Sequence, residues 1–317
     1  MDKLGLIKRN TAEIINEQDI PKLLKKKSPV VYCGYEPSGE IHLGHLVTIT
    51  KLMDLAKAGF HVKILLADWH AYLNQKGDWN FIDNQVKIWK NGFIAAGLKD
   101  AEFVVGSSFQ RKPEYVDDVF SIAVGTTINR ALRSMQQVAR DIENAKVSQV
   151  IYPFMQIADI KHLNVDLAYG GIEQRKIHML GVEMLPKIKY KVPVFVHTPL
   201  ISSLKGTDGK MSSSDVESFI SIKDNQDNIK KKINKAHCLA GDKDNNPILQ
   251  IARLIVFPRF EDFKINRPEK FGGNLVFNNY DELEIAFVKK EVHPLDVKNS
   301  LSEYLFEILE PIRKKFK

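Results

Sequence analysis

Apolar residues follow two rhythms along the first two thirds of this chain. Short, mostly apolar runs alternate with stretches in which apolar residues return every three or four positions. The runs are Val30-Val31-Tyr32-Cys33 (within 29–34), His61 to Ala67, Glu102 to Gly106, Asn164 to Ala168 and Val192 to Val196. Runs of this length, bounded by turn residues, read as strands buried on both faces, as in parallel sheets. Between them Leu46, Ile49, Met53 and Ala56 keep helical spacing up to Gly59, which predicts a helix over 43–58. Residues 79–97 predict another, and Ile177, Leu180 and Met184 give a third its apolar face. Strands alternating with helices predict a parallel sheet with right-handed crossovers. Ligands of such sheets bind beyond the carboxyl ends of the strands. Gly34-Tyr35-Glu36 and Asp68-Trp69-His70 fall at two of those ends.

Three regions depart from the alternation. Residues 1–28 predict short helices, with Asn10 and Glu13 as N-cap and capping-box partner and Asp19-Ile20-Pro21 as a second start. Lys25-Lys26-Lys27 reads as a solvated helix end, with a phosphate contact as the alternative. Residues 112–162 predict two or three helices inserted between two halves of the sheet. Arg130, Arg133 and Arg140 lie there, either as a solvated face or as a nucleic-acid contact. Residues 203–215 are rich in Gly, Ser and Asp without periodicity, hence loop, and from residue 216 the pattern is mostly helical and rich in lysine. The expected fold is therefore α/β. A Rossmann-like parallel-sheet domain with a helical insertion over 1–214 is followed by a mostly α-helical domain over 215–317.

Composition narrows the function without naming it. No apolar run approaches the length of a membrane span, and Met1 to Asn10 is charged where a secretory signal would be apolar. The two cysteines, Cys33 and Cys238, are far apart. They exclude a disulfide framework and a cysteine-rich zinc site, and point to a reducing, cytoplasmic setting. A formal charge of +7 permits a polyanionic partner such as nucleic acid without requiring one.

The chemistry concentrates in two segments. Pro37-Ser38-Gly39-Glu40-Ile41-His42-Leu43-Gly44-His45 joins the first strand of the sheet to a helix, a geometry that offers backbone N–H groups and the positive end of the helix dipole to an anion. Two imidazoles can donate to phosphate, and the glycine between them lets a flat ring approach. The bland alternative is an ordinary connection with surface histidines. Far along the chain, Lys210-Met211-Ser212-Ser213-Ser214 sets one lysine in a flexible loop that could close over the same phosphates. No Gly-x-Gly-x-x-Gly follows the first strand, which argues against a dinucleotide oxidoreductase.

Together the two segments resemble the paired signatures of class I aminoacyl-tRNA synthetases, present here as His42-Leu43-Gly44-His45 and Lys210-Met211-Ser212-Ser213-Ser214. Tyr32 to Gly39, Ala67 to Asn74, Tyr152 to Gln156 with Asp159, and Gly170 to His178 are similar to the compact archaeal and eukaryotic tyrosyl-tRNA synthetases. So are Phe271-Gly272-Gly273 and His293-Pro294-Leu295-Asp296. The resemblance covers essentially the whole chain. It departs at Ala158, where some members carry a polar residue.

The resemblance implies ATP-dependent attachment of L-tyrosine to tRNA(Tyr) through a tyrosyl-adenylate. It casts His42, His45, Lys210, Ser212, Ser213 and Ser214 as catalytic, and Gly44, Glu173 and Met211 as ATP-binding. Mg²⁺ would arrive with ATP, with no resident metal. Tyr32, Gly34, Glu36, His70, Tyr152, Gln156, Asp159 and Gln174 would bind tyrosine. Arg133, Arg175 and Lys176 would meet the first acceptor base pair, and Phe271 and Asp296 the anticodon. A homodimer formed through 112–162 is also implied. The rival expectations are a tryptophanyl-tRNA synthetase, which shares the architecture, and an RNA-binding paralogue without catalysis.

Overall fold

The computed structural model describes residues 1–136, 144–206, 211, 215 and 217–315. In chain order the first elements are α1 (Lys3–Lys8), β1 (Glu13–Ile15), α2 (Ile20–Leu24), β2 (Val30–Tyr35), α3 (Leu43–Lys57), β3 (His61–Leu66), α4 (Asp68–Leu73), α5 (Trp79–Ala95) and β4 (Glu102–Val105). Then follow α6 (Pro113–Val124), α7 (Ile128–Met135), α8 (Val147–His162), β5 (Leu167–Gly171), α9 (Arg175–Met184) and β6 (Val194–Thr198). The remainder holds α10 (Gln226–Lys235), α11 (Pro247–Ile251), β7 (Phe263–Ile265), β8 (Leu275–Phe277), α12 (Tyr280–Val288) and α13 (Pro294–Lys315).

Six strands form one sheet in the order β1-β6-β5-β2-β3-β4. All pairs are parallel except β1 with β6. Strand order reverses between β2 and β5, the switch point where ligands of doubly wound sheets bind. The apolar runs explain the burial, since every residue of β5 and β6 is buried. Helices α6 to α9 pack Tyr115, Ile122, Met135, Ile157, Leu180 and Met184 into one core cluster with Tyr32, Leu65 and Phe195 of the strands.

The sheet is also tied at one end by charge. Asp166, just before β5, accepts from Val30 N of β2 at 2.9 Å, from Lys26 Nζ at 2.8 Å, and from Lys191. Burial would raise this carboxyl, but the two lysines and the Val30 amide hold it below the usual carboxylate range. Lys26 thus adds an ion pair to an exposed helix end, where Lys25 and Lys27 are exposed beside it.

Several local expectations change. Glu13 is not a capping-box residue. Asn10 takes the left-handed conformation (φ 55°), and Glu13–Ile15 pair antiparallel with β6. A three-residue edge strand has too short a pattern to register alone; the partner strand makes it. β5 continues through Gly170 and Gly171, past the run to Ala168 that predicts it, and Asp68-Trp69-His70, after the end of β3, opens α4. The C-terminal region is mostly helical but includes the antiparallel pair β7–β8.

The residues divide into two compact units. One comprises 1–38, 52–94 and 98–199, and the other 39–51, 95–97 and 200–317. The first contains the six-stranded sheet. The second draws in residues 39–51 because Ile41–Leu43 run antiparallel to Ile220–Ile222. Leu43 N donates to Ile220 O at 3.0 Å, Ile222 N donates to Ile41 O at 3.1 Å, and His42 bridges Ser221. Within it, Lys298 of α13 donates to Asn234 O at 3.1 Å and Ala236 O at 2.6 Å, satisfying carbonyls at the end of α10 with a cation suited to a helix C-terminus.

Candidate active site

In the first unit, α8 presents Tyr152, Gln156 and Asp159 at intervals of four and three, which places them on one helix face. Asp159 and Tyr32 are both buried. Asp159 Oδ1 accepts from Gln110 Nε2 at 2.8 Å and lies 2.9 Å from the Tyr115 hydroxyl, which is equally close to Met155 O. Asp159 Oδ2 is buried with no hydrogen bond, and so is His70 Nε2, 3.7 Å away. Burial lowers the His70 imidazole to about 3, so it is neutral and this contact is not an ion pair. Burial raises the Asp159 carboxyl to about 7 against the hydrogen bonds from Gln110 and Tyr115. An acceptor buried beside an unpaired ring nitrogen is costly unless a polar ligand group completes it.

Gly34 keeps this region open. A Cβ there would stand 2.7 Å from the Tyr32 hydroxyl, two residues back on the same strand face. His70 and Tyr152 meet edge to face, with centroids 4.6 Å apart, so the imidazole packs against an aromatic wall. Gln156 Nε2 donates to Gln174 Oε1 at 3.1 Å. Glu36 accepts from Asn74 Nδ2 at 3.0 Å and 3.2 Å and has Lys76 Nζ at 3.5 Å. Burial raises the Tyr152 hydroxyl far above its ordinary range, and Glu36 raises it further by charge and by accepting from it. The glycine pair of β5 makes room for the turn that follows. A Cβ on Gly171 would fall 2.1 Å from Glu173 Oε2, and one on Gly170 would fall 2.8 Å from Gln174 Cγ. Glu173 Oε2 is itself buried without a hydrogen bond.

In the second unit the histidine segment is rigidly built. His42 N donates to His45 Nδ1 at 3.1 Å, and Gly44 N donates to His42 Nδ1 at 3.0 Å. Both rings therefore accept at Nδ1, which assigns their protons to Nε2. The ring centroids are 4.1 Å apart. A Cβ on Gly44 would lie 2.8 Å from His42 Cε1, so glycine is required for this ring position. One expectation is corrected. The first backbone N–H groups of α3 are not open to an anion: Leu43 N donates to Ile220 O, Gly44 N to His42, and His45 N and Leu46 N to His42 O. Met211 is buried and donates from its backbone to Ile201 O at 3.1 Å. Lys210, Ser212, Ser213 and Ser214 lie outside the described residues.

The remaining candidates are distributed. Arg133 of α7 is exposed, Lys176 reaches Gln136 beyond the end of α7, and Arg175 is held by Glu13. Phe271 is 61% exposed beneath Lys270 Nζ, 5.0 Å from its ring, so it is not a core residue. Asp296 lies in the first turn of α13. Among the described residues no cluster of His, Cys, Asp and Glu could hold a metal ion, and no helix is long and apolar enough to cross a membrane. Sequence reasoning missed Gln110 and Tyr115. They come from a strand-end turn and an inserted helix, and nothing local marks them as partners of Asp159.

The family model for tRNA synthetases class I (W and Y) matches residues 24–310. The tyrosine--tRNA ligase of Methanocaldococcus jannaschii is 51% identical over 316 residues, covering 99% of this chain and 100% of that protein. That of Methanosarcina barkeri is 50% identical over 317 residues, covering 99% of each. Among solved structures, the tyrosyl-tRNA synthetase of Archaeoglobus fulgidus complexed with L-tyrosine superposes with a TM-score of 0.96 at 48% identity, covering 99% of each chain. These matches span both units and both signature segments, and the chain belongs to the class I tRNA synthetases of the tryptophan and tyrosine branch, among the tyrosine--tRNA ligases.

Proposed function

We infer that this chain activates L-tyrosine with ATP and transfers it to tRNA(Tyr). The observation that carries this reading is the buried Asp159 carboxylate. It is held by Gln110 and Tyr115 at one oxygen and left without a partner at the other, within electrostatic reach of the Tyr32 hydroxyl. A phenolic hydroxyl supplies the missing donor and can accept in turn from Tyr32. A substrate lacking that hydroxyl leaves both groups buried and unpaired, which is how a pocket selects by hydrogen bond. Tyrosine--tRNA ligase relatives at about 50% identity favour this substrate over tryptophan.

In the first step the tyrosine carboxylate attacks the α-phosphorus of ATP, forming the tyrosyl-adenylate and releasing pyrophosphate. Tyr152, Gln156, Gln174 and Glu36 hold the ammonium end, while Gly34 leaves space beside the Tyr32 hydroxyl. The Nε2–H groups of His42 and His45 donate to the phosphates as charge shifts towards the leaving group. Lys210, with Ser212, Ser213 and Ser214, neutralises pyrophosphate. Gly44 and Met211 contact the nucleotide and Glu173 accepts from the ribose hydroxyls. Mg²⁺ enters with ATP, bound by phosphate and water. In the second step a terminal ribose hydroxyl of the tRNA attacks the activated carbonyl and AMP leaves. Arg133, Arg175 and Lys176 position the acceptor end. Phe271 stacks on an anticodon base and Asp296 accepts from one.

On this reading residues 1–214 form the catalytic domain, 215–317 bind the anticodon, and the protein works in the cytoplasm as a homodimer. What supports the dimer is an apolar face exposed among the described residues in the second half of α6 and the start of α7: Phe120 is 63% exposed, Val124 91% and Ile128 68%. Such a patch suits a second copy of the chain. ATP–pyrophosphate exchange across the amino acids tests the reading. Tyrosine-dependent exchange is expected, and exchange driven by tryptophan alone would overturn it.

A further inference from the structure

Helix α4 carries two sets of side chains. His70 meets Tyr152 beside Asp159, whereas Trp69 and Tyr72, three residues apart, share another face. Tyr72 stacks on Trp79, the first residue of α5, with centroids 4.7 Å apart and an interplanar angle of 21°. Trp69 meets both rings edge to face, at 5.8 Å and 4.9 Å. The stack is thus closed along its side, yet Tyr72 is 42% exposed. A cleft of about 450 Å³ opens there, lined by Tyr72, Leu73, Gln75, Gly77 and Ser148. Sites for small planar groups run from about 300 to 1,000 Å³.

The polar groups around the cleft favour a polyanion that carries flat rings. Gln75 closes α4 in the left-handed conformation (φ 56°), where glycine or asparagine is usual. Its N–H donates to Tyr72 O at 3.0 Å, and its side chain accepts from Lys146 Nζ at 3.2 Å. Glycine would end the helix with less strain; glutamine adds an amide to the cleft wall and holds a cation at its rim. Ser148 donates to Leu73 O at 2.8 Å, which leaves its oxygen as an acceptor. Arg111 Cζ lies 5.9 Å from the Trp69 ring centroid. Arg111 and Lys146 are exposed, and among the described residues neither is paired with a carboxylate. The nearby carboxylates are engaged: Asp78 accepts from Phe81 N at 2.8 Å, and Glu36 has Asn74 and Lys76. An exposed aromatic stack between two unpaired cations suits single-stranded nucleic acid, whose bases stack while its phosphates meet the charges.

We propose that the Tyr72–Trp79 stack is a platform for the unpaired 3′ end of the tRNA, with a base on Tyr72 and with Arg111 and Lys146 on the phosphates. This rests on the reading of the chain as a tRNA ligase. The transfer step dictates the placement. The terminal ribose hydroxyl must reach the tyrosine carbonyl, next to the ammonium group assigned to Glu36, and Asn74, two residues beyond Tyr72, donates to Glu36 at 3.0 Å. One helix diameter, about 10–12 Å, separates opposite faces of α4. About three nucleotides cover that span at about 3.4 Å each. The nucleotides before the terminal one therefore fall within reach of Tyr72.

The test compares two tRNA(Tyr) transcripts on the full-length protein, one complete and one lacking its last three nucleotides. Of the three tryptophans, Trp69 and Trp79 belong to the platform and Trp89 is buried. The complete transcript is expected to quench tryptophan emission, and the shortened one to bind with little quenching. Tyr72→Ala is expected to weaken binding of the complete transcript about five- to thirtyfold, and of the shortened one by less than about twofold. Tyr72→Phe, which keeps the ring, is expected to bind as the wild type does. Equal quenching by the two transcripts overturns the proposal, as does Tyr72→Ala weakening both equally or neither. If Tyr72→Ala does not fold, the quenching comparison on the wild type decides. A wild type that binds neither transcript is a separate result: it removes the tRNA reading of the whole chain.

Discussion

Asp159 is the residue at which selectivity and stability pull in opposite directions. Its carboxyl, raised by burial to about 7, binds a proton in the ligand-free protein that the unfolded chain would already have released. Stability from this group is therefore complete below the unfolded value near 3.8 and is lost as pH rises through about 7. Asp159→Asn should raise the melting temperature of the ligand-free protein at pH 8, by roughly 1–4 kcal/mol in stability. The same change should erode discrimination between tyrosine and phenylalanine in pyrophosphate exchange by about 10- to 100-fold. Equal discrimination in the variant would contradict its role. Gly34 acts by absence. Gly34→Ala sets a methyl 2.7 Å from the Tyr32 hydroxyl, and a rise in KM for tyrosine with little change in KM for ATP is expected. His42 and His45 stand out by residue type and spacing in a strand-to-helix turn, whereas Tyr32 and Asp159 are named only through the resemblance to the tyrosyl-tRNA synthetases. Gln110 and Tyr115 stand out in neither way, because their importance is only that they end beside Asp159.

At the level of elements, the buried runs declared β2, β3, β5 and β6, and the helical spacings declared α3, α5 and α9. What stayed hidden was whatever another element imposes. Glu13–Ile15 becomes a strand because β6 is there to pair with it. Gly170 and Gly171, which signal a turn by composition, stay in β5 because they pair with His197 and Thr198 of β6. Asp166 is a further case, since it ties the starts of β2 and β5 through Val30 and two lysines on otherwise separate segments. Its carboxyl is lowered, so the stability it contributes is present above the unfolded value of 3.8 and is lost as pH falls through the lower folded value. Asp166→Ala should cost roughly 2–4 kcal/mol in urea unfolding at pH 7, because it strands a buried amide and removes the partner of two cations. It should also flatten the acid limb of the stability profile.

For the whole molecule, the formal charge of +7 and the exposed apolar face of α6 and α7 make different demands on solution conditions. tRNA binding should weaken steeply with salt, since released counterions drive it. Association through Phe120 and Val124 should not, because apolar burial is strengthened rather than screened by many salts. Phe120→Glu with Val124→Glu is expected to give monomers in analytical ultracentrifugation, and dimers persisting in that variant would place the interface elsewhere.

The antiparallel stitching of Ile41–Leu43 to Ile220–Ile222 limits how such a chain can be dismantled. A gene fragment ending at residue 199 would encode both histidines, yet it would lack the segment from residue 200 onward that sets their backbone. Residues 200–317 are therefore no detachable cassette, to be shed or exchanged while the histidine turn keeps its backbone. Recombination that swaps them must bring a matching counterpart of Phe219 to Ile222, or the loss falls first on pyrophosphate exchange rather than on tRNA choice.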